Sequence, residues 1–131
     1  MKFDRYVCIG DTITLERDGF TVVARIEHDP DSHIDDDDCH NVDQSVTGCD
    51  EMQQAKLLAA REAWFADEWC YCGIVLSVAK NGIVLDNCAV SLWRIECNYP
   101  GSDNSYLTAI ANELLDEAVL VGKQAIQTLL K

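Results

Sequence analysis

Residues 69–86 read WCYCGIVLSVAKNGIVLD, and this stretch decides the fold. Two apolar runs, from Cys70 to Ala79 and from Ile83 to Leu85, meet across Asn81-Gly82. Asn-Gly is the dipeptide that best tolerates the two positive φ angles of a type I′ turn, so the stretch predicts a β-hairpin at the centre of a sheet. Pairing outward from the turn sets Lys80 opposite Ile83 and Val78 opposite Leu85. Cys70, Cys72, Ile74, Leu76 and Val78 then share one face, with Gly73, Val75, Ser77 and Ala79 on the other.

Upstream, Tyr6-Val7-Cys8-Ile9 reads as a short strand ended by Gly10-Asp11. Asp18-Gly19 then predicts a second hairpin, in which Arg17 faces Phe20, Leu15 faces Val22 and Ile13 faces Ala24. One side of it is apolar; Thr12, Thr14, Glu16, Thr21, Arg25 and Glu27 point the other way. After the central hairpin, residues 87–91 read as a connection. Trp93, Ile95 and Cys97 alternate with Arg94, Glu96 and Asn98 as one more strand, which Tyr99-Pro100-Gly101 stops.

Two helices complete the pattern. Asp50 and Gln53 have the spacing of a capping box ahead of a helix from about Glu51 to Asp67, with Leu57, Ala60, Trp64 and Phe65 on its buried face. Ser102, Asp103 and Asn104 offer N-caps for a last helix that runs to Lys131 and carries Leu107, Ile110, Leu114, Leu115, Val121, Ile126 and Leu129 at helical spacing. The expectation is one α+β domain over residues 1–131: an antiparallel sheet of about five strands, in the order β-β-α-β-β-β-α, with both helices on one face. Leu114, Leu115, Ile74, Leu76 and Trp64 should share one core.

At 131 residues such a chain buries enough apolar surface to fold without metal or disulfide staples. No apolar run has the length of a signal peptide's core or a membrane span, and the seven cysteines are odd in number and irregularly spaced. They read as free thiols of a soluble, cytoplasmic protein. The formal net charge is −13, from 23 acids against 10 bases. Such a charge repels nucleic acid and anionic membranes and is complementary to a basic protein surface.

Much of that charge is concentrated. Residues 27–51 form an acidic loop without hydrophobic periodicity, holding Glu27, Asp29, Asp31, Asp35, Asp36, Asp37, Asp38, Asp43, Asp50 and Glu51, and neither Lys nor Arg. A calcium loop of EF-hand type fails here, because His33, Ile34 and His40 would fill its fifth, sixth and twelfth places counted from Asp29. Zinc could draw on His28, His33, Cys39, His40 and Cys49, although no Cys-x-x-Cys half-site exists. Cys39 follows four aspartates, whose field favours the neutral thiol and opposes a nucleophilic role. Glu62, Asp67 and Glu68 read as a solvated face rather than an acid-base pair, and phosphate-loop, nucleophile-elbow and dinucleotide signatures are absent. No enzyme and no cofactor is therefore expected.

As a surface, the acids have another use. An extended run through Asp35, Asp36, Asp37 and Asp38 carries about one charge per 3.4 Å, the density of a single DNA strand. Asp29, Asp31, Asp35, Asp36, Asp37, Asp38 and Asp43 are thus the candidate partner-binding residues. The segments Leu76-Ser77-Val78-Ala79-Lys80-Asn81-Gly82-Ile83-Val84-Leu85-Asp86, residues 91–107 and the opening Tyr6-Val7-Cys8-Ile9-Gly10-Asp11 resemble a group of small uncharacterised plasmid- and phage-borne proteins of proteobacteria. In that group glycine is expected where this chain has Arg94. As a class such proteins resemble anti-CRISPR and anti-restriction inhibitors. The resemblance implies a partner such as a CRISPR surveillance complex or restriction enzyme, met by nucleic-acid mimicry. A metal-binding domain using residues 28–49, an adaptor working through an exposed sheet face, and a homodimer are the other expectations.

Overall fold

The computed structural model describes residues 1–34 and 51–130. Strands β1 (Thr12–Arg17) and β2 (Phe20–His28) pair across Asp18-Gly19 in the predicted register. Asp18 and Gly19 both have positive φ, at 53° and 80°, as the turn requires. Helix α1 (Glu51–Phe65) leads to β3 (Cys70–Lys80), which turns at Asn81-Gly82 into β4 (Ile83–Cys97), and α2 (Ser105–Leu129) follows. Among the described residues, four strands form one antiparallel sheet in the order β1-β2-β3-β4, with β1 and β4 outermost. The protein is α+β, as expected.

Four strands replace the expected five because the residues taken as a connection lie inside β4. Val78 pairs with Asp86 rather than Leu85, and Leu76 pairs with Val90, so β4 fits extra residues against a shorter stretch of β3. Polar groups there find partners in the bulge and beyond it: Asp86 accepts the Cys88 N–H at 2.9 Å, and the Asn87 carbonyl accepts Nη1 of Arg25 from β2 at 2.9 Å. Asn87 thus marks a bulge, not a strand end. A third irregularity separates Cys72 from Ile74, and opposite it Arg94 has a φ of 61°.

Residues 6–9 are not a strand. The Asn98 side chain takes the place of a neighbouring strand for Val7, accepting its N–H at 3.0 Å and donating to its carbonyl at 2.8 Å. Asn104 in turn donates to the Arg5 carbonyl at 2.8 Å and to Asn98 Oδ1 at 2.7 Å. Asn104 precedes α2 without capping it through its side chain; Asp103 accepts the Ser105 N–H instead.

One sheet face, with Ile13, Val22, Ile26, Ile74, Leu76 and Val78 fully or almost fully buried, packs against Leu107, Ala111, Leu115 and Val119 of α2. Each buried Leu or Ile removes enough apolar surface from water to contribute about 1.5–3 kcal/mol. Leu114 also packs against this core, but none of the described residues of α1 belongs to it. The expectation of both helices on one face is corrected accordingly. Trp64 belongs to a second cluster with Ile34, Ala63, Trp69 and Tyr71. Tyr71 alternates along β3 with Cys70 and Cys72, which face α2, so its ring leaves the opposite side. Phe65, expected in the core, is 55% exposed.

Helix α1 ends early for a local reason. Asp67 takes a φ of 60°, its N–H reaches the Trp64 carbonyl, and the Glu68 N–H reaches the Ala63 carbonyl, the two bonds of a Schellman motif. Trp69 then donates its indole N–H to the Ala60 carbonyl at 2.7 Å, fixing β3 to the helix it follows.

Candidate functional site

The acidic segment leaves the sheet at the end of β2, and its first residues are tightly built. Asp29 is buried, at 6% exposure. Its carboxylate accepts the Asp31 N–H at 3.0 Å, the Ser32 hydroxyl at 2.8 Å and the Arg94 N–H at 2.9 Å. Burial works to raise its pKa, but these hydrogen bonds outweigh it and hold the carboxyl below the ordinary carboxylate value. Asp29 is therefore a structural clamp joining the segment to the β4 bulge, not a charge offered to a partner. Glu27 and His28, counted with the loop from sequence, are the last residues of β2.

Asp31 is exposed. Asp35, Asp36, Asp37, Asp38 and Asp43, together with the alternative metal ligands Cys39, His40 and Cys49, lie outside the described residues. Ile34, at the near boundary, is fully buried against the aromatic cluster that includes Ala63 from the C-terminal part of α1. Glu51, at the far boundary, begins that helix. The two flanks thus lie toward opposite ends of α1, whose 15 residues extend about 22 Å.

A cleft of about 380 Å³ opens beside this clamp, lined by His28, Asp29, His33, Trp64, Phe65 and Asp67 among others. His33 sits edge-on to Trp64, ring centroids 4.6 Å apart, and Arg61 lies over Phe65 at 5.2 Å. His33 and His28, both considered as zinc ligands, line this cleft. Among the described residues no three His, Cys, Asp or Glu side chains are placed to hold a metal ion. The cleft joins an aromatic wall to an acidic rim, with Asp67 at its edge and Glu68 exposed next in sequence. Sequence reading missed its aromatic half because Trp64 and Phe65 were assigned to a core.

The surface charge is uneven. Arg17 pairs with Asp116, Arg25 with Glu27 and Lys123 with Asp18, so cations that could offset the field are already engaged by the protein's own acids. Elsewhere β4 presents apolar residues at the sheet edge: Ile83 is 66% exposed, Val84 61%, Leu92 45% and Trp93 43%. The Trp93 ring lies directly over Gly73, where any Cβ would overlap it. Beside them a groove of about 470 Å³ runs between β4 and the first turns of α2, lined by Trp93, Arg94, Tyr99, Tyr106 and Ile110. The Tyr106 hydroxyl donates to the Glu96 carbonyl at its floor.

No protein-family model, curated protein or solved structure matches this chain. No helix among the described residues is long and apolar enough to cross a membrane.

Proposed function

We propose that the protein is an acidic inhibitor that binds a basic, nucleic-acid-handling surface, with Asp31, Asp35, Asp36, Asp37, Asp38 and Asp43 standing in for phosphates. The observation that carries this reading is the formal net charge of −13, with ten acids and neither Lys nor Arg within residues 27–51. Arg17 and Lys123 are engaged by Asp116 and Asp18, outside that segment, and Arg25 pairs with its first acid, Glu27. Asp29 serves this surface indirectly, by fixing the point from which the acidic segment departs. A groove shaped to hold RNA or DNA meets a similar density of negative charge here. The resemblance to plasmid- and phage-borne proteins points to a CRISPR surveillance complex or restriction enzyme as the partner class. No catalytic group, metal or cofactor enters the proposal.

The test is capture from a bacterial lysate containing such complexes, at low and high salt. Wild type runs beside a variant with Asp35, Asp36, Asp37 and Asp38 changed to Asn. Capture of a nucleic-acid-handling complex that salt releases and the variant lacks supports mimicry. Equal capture by both proteins, or none, refutes it.

A second reading, an adaptor working through the sheet, is favoured by the exposed apolar residues of β4. It predicts binding that survives high salt and loop neutralisation but is lost on Trp93→Ala.

A further inference from the structure

Cys70 and Cys97 are register partners on neighbouring antiparallel strands, the first residue of β3 facing the last of β4. Directly opposed residues in such a pair have Cα atoms about 4.5–5.5 Å apart, inside the range a disulfide bridges. Both line a cavity of about 250 Å³ that is also lined by Cys8 and Asp67. Cys70 is half-buried while Cys97 is 1% exposed. Cys72, two residues along β3, has Ile95 as its register partner but shares the core cluster of Cys97, so it is the competing thiol the test must exclude.

We propose that Cys70 and Cys97 are an oxidation site, at which hydrogen peroxide entering this cavity links the start of β3 to the end of β4. The Cys70 thiolate attacks one peroxide oxygen, the O–O bond breaks, and hydroxide leaves to take up a proton as water. The Cys97 sulfur then displaces the oxygen of the resulting sulfenic acid, forming the S–S bond and releasing a second water. In sum, two thiols lose two protons and two electrons and one peroxide becomes two waters. Trp69 precedes Cys70 and Tyr99 follows Cys97 by two residues, and their rings meet at 4.8 Å in the aromatic cluster on the other side of the sheet.

The site is slow at neutral pH. The hydrogen bond with Cys97 and then burial push the Cys70 thiol well up. For Cys97 the bond from Cys70 pulls down, but the bond with Cys72 and burial outweigh it and set the thiol at about 12. Other titratable groups around the pair are His28 of β2, Cys8 of the N-terminal segment, Asp67 and Glu68 before β3, and Tyr106 of α2. Only the thiolate reacts, so below these values the rate should rise about tenfold per pH unit.

The test uses the full chain with Cys8, Cys39, Cys49 and Cys88 changed to Ser, treated with hydrogen peroxide at pH 8 and pH 9 and read by intact mass and peptide mapping. Expected is the loss of two hydrogens, about tenfold faster at pH 9, reversed by dithiothreitol, with tandem mass spectrometry placing the link between Cys70 and Cys97. Adding Cys72→Ala should leave the link intact, and adding Cys97→Ala should abolish it. A link through Cys72, sulfinic acid without a link, or unaltered thiols would each overturn the proposal. Because the linkage is mapped in the parent chain, the result stands even if Cys97→Ala does not fold.

Discussion

The Asp29 carboxylate accepts the backbone N–H of Arg94 at 2.9 Å across a sequence separation of 65 residues. That bond holds Arg94 at a φ of 61°, a conformation that costs an L-residue about 1–2 kcal/mol and glycine almost nothing. Arg94→Gly should therefore raise stability by about 1 kcal/mol, less whatever glycine adds to the freedom of the unfolded chain. Urea unfolding decides it. A loss of stability would mean that the arginine side chain contributes more than its backbone strain removes.

Asp29 gives a pH-dependent prediction of fixed sign. Its native pKa lies below the unfolded value, so its contribution is complete above the ordinary carboxylate range and is lost as pH falls through the lowered native value. Asp29→Ala should cost about 3 kcal/mol near neutrality by stranding partly buried donors. The stability gap between wild type and Asp29→Asn should narrow below about pH 4. A gap of constant size across pH would show that the charge is not what the clamp uses.

Asn98 is expected to control the N-terminal segment. Asn98→Ala removes both bonds to Val7, a residue 1% exposed, and should cost about 2–3 kcal/mol. Asn98→Asp retains an acceptor for the Val7 N–H but has no donor for its carbonyl, and should fall between. Amide exchange at Val7 and protease cleavage near residues 5–9 report the release. Unchanged protection in Asn98→Ala would contradict this role.

Gly122 tests how closely α2 approaches the sheet. A Cβ there would lie 2.8 Å from Val78 Cγ2 and 2.9 Å from Phe20 Cε1. Gly122→Ala adds helix propensity of about 1 kcal/mol but overpacks the core by about 1–3 kcal/mol, so a net loss is expected. Combined with Val78→Ala, the loss should be less than additive, because the second change removes the clashing methyl group. Strict additivity of the thermal unfolding data would count against the contact.

Gly73→Ala offers a separation of the two functional readings. It should lift the Trp93 ring off the sheet and break its bond to Ser91, while removing none of the acids of residues 27–51. Acrylamide quenching of tryptophan fluorescence should increase. Partner capture should persist under the mimicry reading and fall under the adaptor reading.

Local chemistry made much of this fold legible. Asp18-Gly19 and Asn81-Gly82 admit positive φ, so both turns follow from local chemistry, and alternating apolar residues give the register of the first hairpin and the α2-facing side of β3. The acidity of residues 27–51 is likewise a property of the chain. What tertiary structure decided depends on partners distant in sequence. Asn87 resembles a turn residue until β3 extends beside it, and residues 6–9 resemble a strand until Asn98 supplies their hydrogen bonds. Trp64 carries the helical period of a core residue, yet Tyr71 and Trp69 draw its helix away from the face that α2 covers. Asp29 appears in sequence as one more acid in a charged run. Only burial beside Arg94, with three donors converging on its oxygens, makes it the clamp from which that run begins.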